Sequence, residues 1–390
     1  MGGVSCAPNL HLGPACQAPV QDLAGKRLII FAGKGGVGKT TCSAACALQL
    51  ARRGKRTLLV TVDPAKRLED CLGVPVGPTE TPIQPNLAAM MLDPEAVIRE
   101  HLQREVPQAK IAEHPLFRTV TGYLPGLNEL MAIGKLNDFR RANKYDCIVV
   151  DTAPTGHALS FLSAPKTIQE ILSERSLVRW AIKGYGVWQK VSAAARGVGN
   201  VFKPKGEREA PPPDIDFERL FEDMGEEAQR IRTFLTDPEH SALVVVTLPE
   251  KLPVEETVDL HAIVTKELGM VVGSIVVNRV QPDTLGAERA IFAAIATDAA
   301  RKTAFVEAAS RATNTPPALV ESLVKAAEFG EVRRTLNVAH IRDLAQRLPG
   351  IPIVLVPLFR RDVVGLKPLG GLRQVMFDPA NRWHEPPGSA

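Results

Sequence analysis

The chain has 390 residues, 45% hydrophobic and 23% charged, enough to bury a large core as one big domain or as a domain with insertions. Its 47 basic against 43 acidic residues leave a formal net charge of +4, too weak a bias to imply a nucleic-acid partner. No apolar run reaches the roughly 18 residues that a bilayer span requires, and the first residues lack the charged-then-apolar order of a signal peptide. The expectation is a cytoplasmic protein.

In chain order, residues 1–24 read as a flexible tail and 25–390 as one α/β domain with helical insertions at about 94–143 and 163–237. Apolar runs rich in β-branched residues at 28–32, 57–62, 87–92, 147–150, 242–247, 274–277 and 353–356 alternate with helical stretches. That rhythm is the mark of a doubly wound, mostly parallel sheet. Straight after the first run comes GKGGVGKT, from Gly33 to Thr40, which fits the phosphate-loop pattern G-x-x-x-x-G-K-[ST]. Gly35, Gly36 and Gly38 let backbone N–H groups converge on phosphate oxygens at the start of the following helix. Lys39 supplies a cation for the β and γ phosphates of ATP, and Thr40 a hydroxyl for Mg²⁺. The nucleotide segment is thus Gly33, Lys34, Gly35, Gly36, Val37, Gly38, Lys39, Thr40 and Thr41. Lys34 is unusual, because the second position of such a loop has no need of a charge; simple solvation is the alternative to a role.

Asp63 follows the second run within DPAKR, and Asp151 follows the fourth within DTAPTGHALSFL. Carboxylates at the carboxyl ends of parallel strands face the crevice where α/β folds bind ligands. Asp151 is placed to hold Mg²⁺ through its water shell, and Asp63 to orient the attacking water. Either one alone would read as a helix N-cap. Residues 168–191 carry too many apolar positions for one buried stripe, Trp180 and Trp188 among them, and 204–214 read as a mobile linker. The segment is either a packed helix under a loop or an apolar binding surface exposed in one nucleotide state.

Six cysteines, at 6, 16, 42, 46, 71 and 147, form no C-x-x-C pair and no zinc-like spacing, so reduced thiols and no zinc are expected. Cys42 and Cys46, one turn apart on an apolar helix, read as core fillers rather than ligands.

GKGGxGKT resembles the deviant phosphate loop of the ATPases that include MinD, ParA, the nitrogenase iron protein and ArsA. DTAPTGHALxxL, PGLNE at 125–129, TLPEKLPVEET at 247–257, VVNRV at 276–280 and PLFRRDVVGLKPL at 357–369 narrow the resemblance to ArsA and its Get-pathway relatives, which deliver tail-anchored membrane proteins. It covers about residues 25–377. The resemblance implies a Mg²⁺-dependent, nucleotide-gated homodimer, or a heterodimer with a paralogue, with Lys34 reaching the partner's nucleotide. It further implies switch residues Asp63, Pro64, Asp151, Gly156 and His157, and adenine contacts from Asn278, Pro357 and Leu358. His157 is equally readable as a structural histidine. Lys66 and Arg67 stand where these relatives have the last two residues of D-P-A-H-S, so the histidine's role does not carry over. The implied outputs are escort of a hydrophobic membrane-protein client, energising a pore subunit for arsenite or anion efflux, or MinD-like positioning. Arsenite would want cysteine thiolates, of which the chain has none after Cys147, and positioning would want a terminal basic amphipathic helix, which the ending does not supply.

Overall fold

Continuous apolar runs with no polar alternation need cover on both faces, and the fold supplies it. The computed structural model describes residues 23, 25–63, 67–93, 96–97, 126–173 and 217–377. Of the expected tail only Leu23 is described, and it is buried in the core rather than free; the rest of the tail, Pro64, Trp180, Trp188 and the 204–214 linker lie outside the described residues.

Eight strands form one sheet: β1 Leu28–Ala32, β2 Thr57–Thr61, β3 Thr81–Gln84, β4 Leu87–Met91, β5 Cys147–Asp151, β6 Ser241–Thr247, β7 Val272–Val280 and β8 Ile353–Pro357, in the spatial order β3-β4-β2-β5-β1-β6-β7-β8. All neighbours pair in parallel except β3 with β4. The expected doubly wound α/β architecture is therefore what the chain adopts. β3 was not among the expected strands, because TPIQ is short and carries Pro82; an antiparallel edge strand tolerates both features.

Alternation along each strand divides the core into two layers. Leu28, Ile30, Val60, Ile148, Val150 and Val245 pack on the face covered by α3 (Leu127–Arg141), α4 (Thr155–Ile171), α5 (Phe217–Thr236), α6 (Lys251–Ala262) and α9 (Pro317–Arg347). Ile29, Phe31, Leu59, Val149, Val244 and Val356 pack on the opposite face with α1 (Lys39–Arg52), α2 (Arg67–Leu72) and α10 (Leu366–Phe377). Ile168 and Leu172, among the apolar positions for which the sequence left a packed helix and an exposed surface both open, belong to the first of these cores. α4 runs unbroken from Thr155 through Pro165 to Ile171, so the helical excursion expected from 163 begins inside a helix that already opens at the switch segment.

A helical excursion absent from the sequence reading lies between β7 and β8. There α7 (Arg289–Ala296), α8 (Ala299–Thr313) and the 31-residue α9 follow one another. Arg289 ties α7 to α9 through Glu331 and to the segment after β7 through Asp283. Buried Asn337 accepts from the Gln281 N–H and donates to the Pro249 carbonyl. Leu319, Leu323, Phe329, Val332 and Leu336 on α9 are each more than half exposed. Phe329, Val332 and Leu336 recur at i, i+3 and i+7, an apolar stripe that faces outward rather than into the core.

Candidate active site

The crevice forms at the carboxyl ends of β1, β5 and β2, which lie side by side. Register places Asp151 opposite both Phe31 and Thr61. Chain crossovers leave the sheet in opposite directions near β1, and loops from neighbouring strands diverge there to leave room for a ligand.

The loop after β1 depends on glycine for its path. Gly33 has φ +145°, and a Cβ there would overlap the Val246 carbonyl oxygen; Gly38 has φ +97°, and a Cβ would overlap the Asn278 amide. Gly38 is also the N-cap of α1, where no side chain caps the helix and the first turn holds no acidic residue. The leading N–H groups of a 14-residue helix and its positive dipole end are thus left for an anion.

Each side chain expected to act is held by a partner in this chain. Lys34 Nζ lies 2.6 Å from Glu256 Oε1 on α6. Lys39 Nζ donates to the Lys34 carbonyl at 2.9 Å. Burial pushes the Lys39 ammonium below its ordinary range; Asp151 opposes that shift, the charge of Arg67 adds to it, and Asp63 opposes it again. Thr40 Oγ1 donates to Asp151 Oδ2 at 2.7 Å. Thr61, from the end of β2, donates to the same oxygen at 3.4 Å, and its hydroxyl accepts the Asp63 N–H at 3.2 Å. Asp63 Oδ2 accepts from Arg67 Nη1 at 2.9 Å.

Asp151 is 1% exposed, and burial pushes its carboxyl up to about 6, against the Thr40 hydrogen bond and the Lys39 charge. Its Oδ1 is buried and has no hydrogen-bond partner among the described residues. An unpartnered carboxylate oxygen beside a threonine hydroxyl is an oxygen-donor set that suits Mg²⁺, a hard cation. The residues present fit the metal.

The base end is less open than the sequence implied. Asn278 Nδ2 donates to the Val37 carbonyl at 2.8 Å, and its Oδ1 accepts the Arg279 N–H at 2.9 Å. Leu358 N donates to the Val280 carbonyl, which brings Leu358 and Pro357, the last residue of β8, beside the end of β7. Thr41 hydrogen-bonds the Cys71 thiol. Gly35 faces the Pro154 ring, so the segment after β5 lies against the phosphate loop. Gly156 is exposed at the start of α4; the His157 side chain lies outside the described residues.

Three contributors were not read from sequence as site residues: Glu256, Arg67 and Thr61. Glu256 sits in the TLPEKLPVEET motif without a role legible there, and Thr61 looked like one more strand residue. Arg67 was visible as a departure from D-P-A-H-S and as the i+4 neighbour of an aspartate, a spacing that supports pairing on a helical turn. Cys42 and Cys46 on α1, Cys71 on α2 and Cys147 on β5 all lie in one buried core cluster. Burial pushes the thiols of Cys42, Cys71 and Cys147 up to about 12 and that of Cys46 well up, which keeps them protonated and poor as metalloid ligands.

Among the described residues no helix is long and apolar enough to cross a membrane. Residues 26–302 match the family model described as anion-transporting ATPase. Over 253 residues the chain is 31% identical to a protein named ATPase GET3 from Mycosarcoma maydis, covering 62% of this chain and 72% of that one. Over 372 residues it is 24% identical to a putative arsenical pump-driving ATPase 1 from Aquifex aeolicus, covering 90% of this chain and 78% of the relative. A putative arsenical pump-driving ATPase from Chlorobaculum tepidum is 31% identical over 238 residues, 59% of this chain and 56% of that relative. With a glycine-dependent phosphate loop, a metal-fitting carboxylate and a family match over most of its length, the chain belongs to the anion-transporting ATPase family and is an ATPase.

Proposed function

We propose that the chain couples Mg²⁺-dependent ATP hydrolysis, in a nucleotide-gated dimer, to the capture of an apolar polypeptide segment such as a membrane-protein client. In this reading Gly33 to Thr41 hold the nucleotide, Lys39 balances phosphate charge, and Thr40 with water-linked Asp151 holds Mg²⁺. When bound, the metal supplies Lewis-acid stabilisation of charge developing on the phosphate oxygens. Asp63 orients the attacking water. Asp63, Pro64, Asp151, Gly156 and His157 relay the γ-phosphate state, and Asn278 with Pro357 and Leu358 flank the base.

The observation carrying the choice of output is the apolar, outward face of α9, since exposed apolar area marks interaction sites. Arsenite efflux, suggested by the names of two relatives, is disfavoured by four buried, protonated thiols. The test is retention of an apolar transmembrane peptide by the Asp63→Asn chain with ATP and with ADP. At least tenfold better retention with ATP is expected, and loss of retention on changing Phe329 and Val332 to Ser with the thermal melt unchanged. Equal retention in both nucleotides, or arsenite-stimulated ATPase activity, sinks the escort reading.

Lys34 supports the dimer part. Its head is held by one half-exposed ion pair, which contributes under about 1 kcal/mol and is readily exchanged for a phosphate. Mixing a Lys34→Ala chain with an Asp63→Asn chain is expected to restore turnover that neither shows alone. One site of the mixed dimer then has an intact carboxylate in cis and an intact lysine in trans. A mixture as inactive as its parents, with subunit exchange demonstrated, means that Lys34 does not act across a dimer.

A further inference from the structure

Lys34 and Lys39 are cations that the phosphate loop itself brings to the crevice; Arg67 is a third, brought by the segment that follows β2. It opens α2, and its Nη1 lies 2.9 Å from Asp63 Oδ2. The two partners differ in environment: the Arg67 side chain is 56% exposed and that of Asp63 only 11%. The carboxylate is therefore the fixed member and the guanidinium the movable one. Asp63 is joined through the Thr61 hydroxyl to the Asp151 carboxylate that Thr40, the neighbour of Lys39, also meets, so both cations border the same crevice. Two like-charged cations that border one crevice gain from a multiply charged anion placed between them.

We propose that Arg67 is a γ-phosphate ligand contributed in cis: the guanidinium rests on Asp63 while the crevice lacks a triphosphate and moves to the terminal phosphate when ATP enters. The inference rests on the ATP-hydrolysing reading of this crevice and adds a residue that sets preference for triphosphate over diphosphate. Guanidinium suits the task because its planar fork pairs with carboxylate and with phosphate in the same bidentate manner. The exchange conserves a charge-assisted contact for the arginine. It also removes a donor from the carboxylate oxygen that is to accept a proton of the attacking water. A lysine at this place would keep the charge but lose the fork, and a serine would lose both.

The experiment measures equilibrium affinity of a non-hydrolysable ATP analogue and of ADP, each with Mg²⁺, for the unaltered chain, Arg67→Ser and Arg67→Lys. Arg67→Ser is expected to weaken the triphosphate analogue by about tenfold or more and ADP by less than about twofold, the scale of one charge-assisted hydrogen bond. Arg67→Lys is expected to recover part of the loss. Because the side chain is largely exposed, both variants should melt with the parent. An unchanged preference in Arg67→Ser overturns the proposal, as does faster turnover with unchanged preference, which would make Arg67 only a restraint on Asp63. Equal weakening of both nucleotides also overturns it, since the cation would then serve the crevice in general. If the unaltered chain binds neither nucleotide, the ATPase reading falls with it; if it binds both normally and only the variants disagree, the arginine assignment falls alone.

Discussion

An Asp63→Asn chain is expected to bind ATP as tightly as the parent and to turn it over at least about a hundredfold more slowly, the scale of a correctly placed acid or base. Asparagine has the size and shape of aspartate, and the Thr61 hydroxyl still accepts the backbone N–H of residue 63. The amide oxygen can still accept from Arg67. What is lost is the negative charge and the second carboxylate acceptor, which water orientation would use. The arginine of the ion pair given up is mostly exposed, so its guanidinium regains water when the charge on residue 63 is removed. If Arg67 acts on the γ-phosphate, the neutral asparagine holds it less firmly and analogue affinity stays equal or rises. Single-turnover hydrolysis beside equilibrium binding decides the matter. Turnover within a few-fold of the parent would remove Asp63 from the water-positioning role.

How much of this was legible in the sequence follows from which interactions are local. Seven of the eight strands announce themselves as continuous apolar runs, because a parallel strand covered on both faces has no polar side to show. The phosphate loop is equally plain, since its glycines answer to backbone clashes at fixed positions such as Gly33 against Val246. β3 is silent because an edge strand need be neither long nor apolar. α7 to α9 went unread because they fall between the last two strand runs, where the strand rhythm marks no boundary, and exposed residues such as Leu323 and Phe329 add nothing to the core. In the crevice, residue types could be read but partners could not. Lys34 and Glu256 are separated by 222 residues, and their meeting is a property of where β6 delivers α6. Arg67 lay four residues from Asp63 and was within reach of sequence reasoning; only the assumption that a departure from a motif subtracts function concealed it.

Asp151→Asn is expected to move stability and activity in opposite directions. At the end of β5 the carboxylate is 1% exposed, with Oδ1 lacking a hydrogen-bond partner among the described residues and Oδ2 accepting from Thr40 and Thr61. Burial raises its carboxyl from 3.8 to about 6, and each unit corresponds to about 1.4 kcal/mol. The folded state therefore holds a proton at Asp151 more readily than the unfolded state does. Below pH 4 both states are protonated and the group imposes no ionisation penalty; through the window from about 4 to 6 the penalty grows; above 6 it is present in full, at up to about 3 kcal/mol. The asparagine chain, free of nucleotide and Mg²⁺, should then melt several degrees above the parent at pH 7.5, with the gap closing as pH falls toward 4. Added Mg²⁺ and ATP reverse the order, because only the carboxylate gains a cation to balance its charge, and a ligand bound to the native state alone stabilises it. ATP turnover in the variant should fall by at least about a hundredfold, since the metal's share in stabilising phosphate charge is lost. A variant that melts below the parent at pH 7.5 would show that the Thr40 and Thr61 hydrogen bonds outweigh the buried charge. A variant that melts higher yet hydrolyses ATP normally would place Mg²⁺ elsewhere. The two readouts separate what the carboxylate costs the fold from what it does for the chemistry, and the unpartnered Oδ1 is where those roles meet.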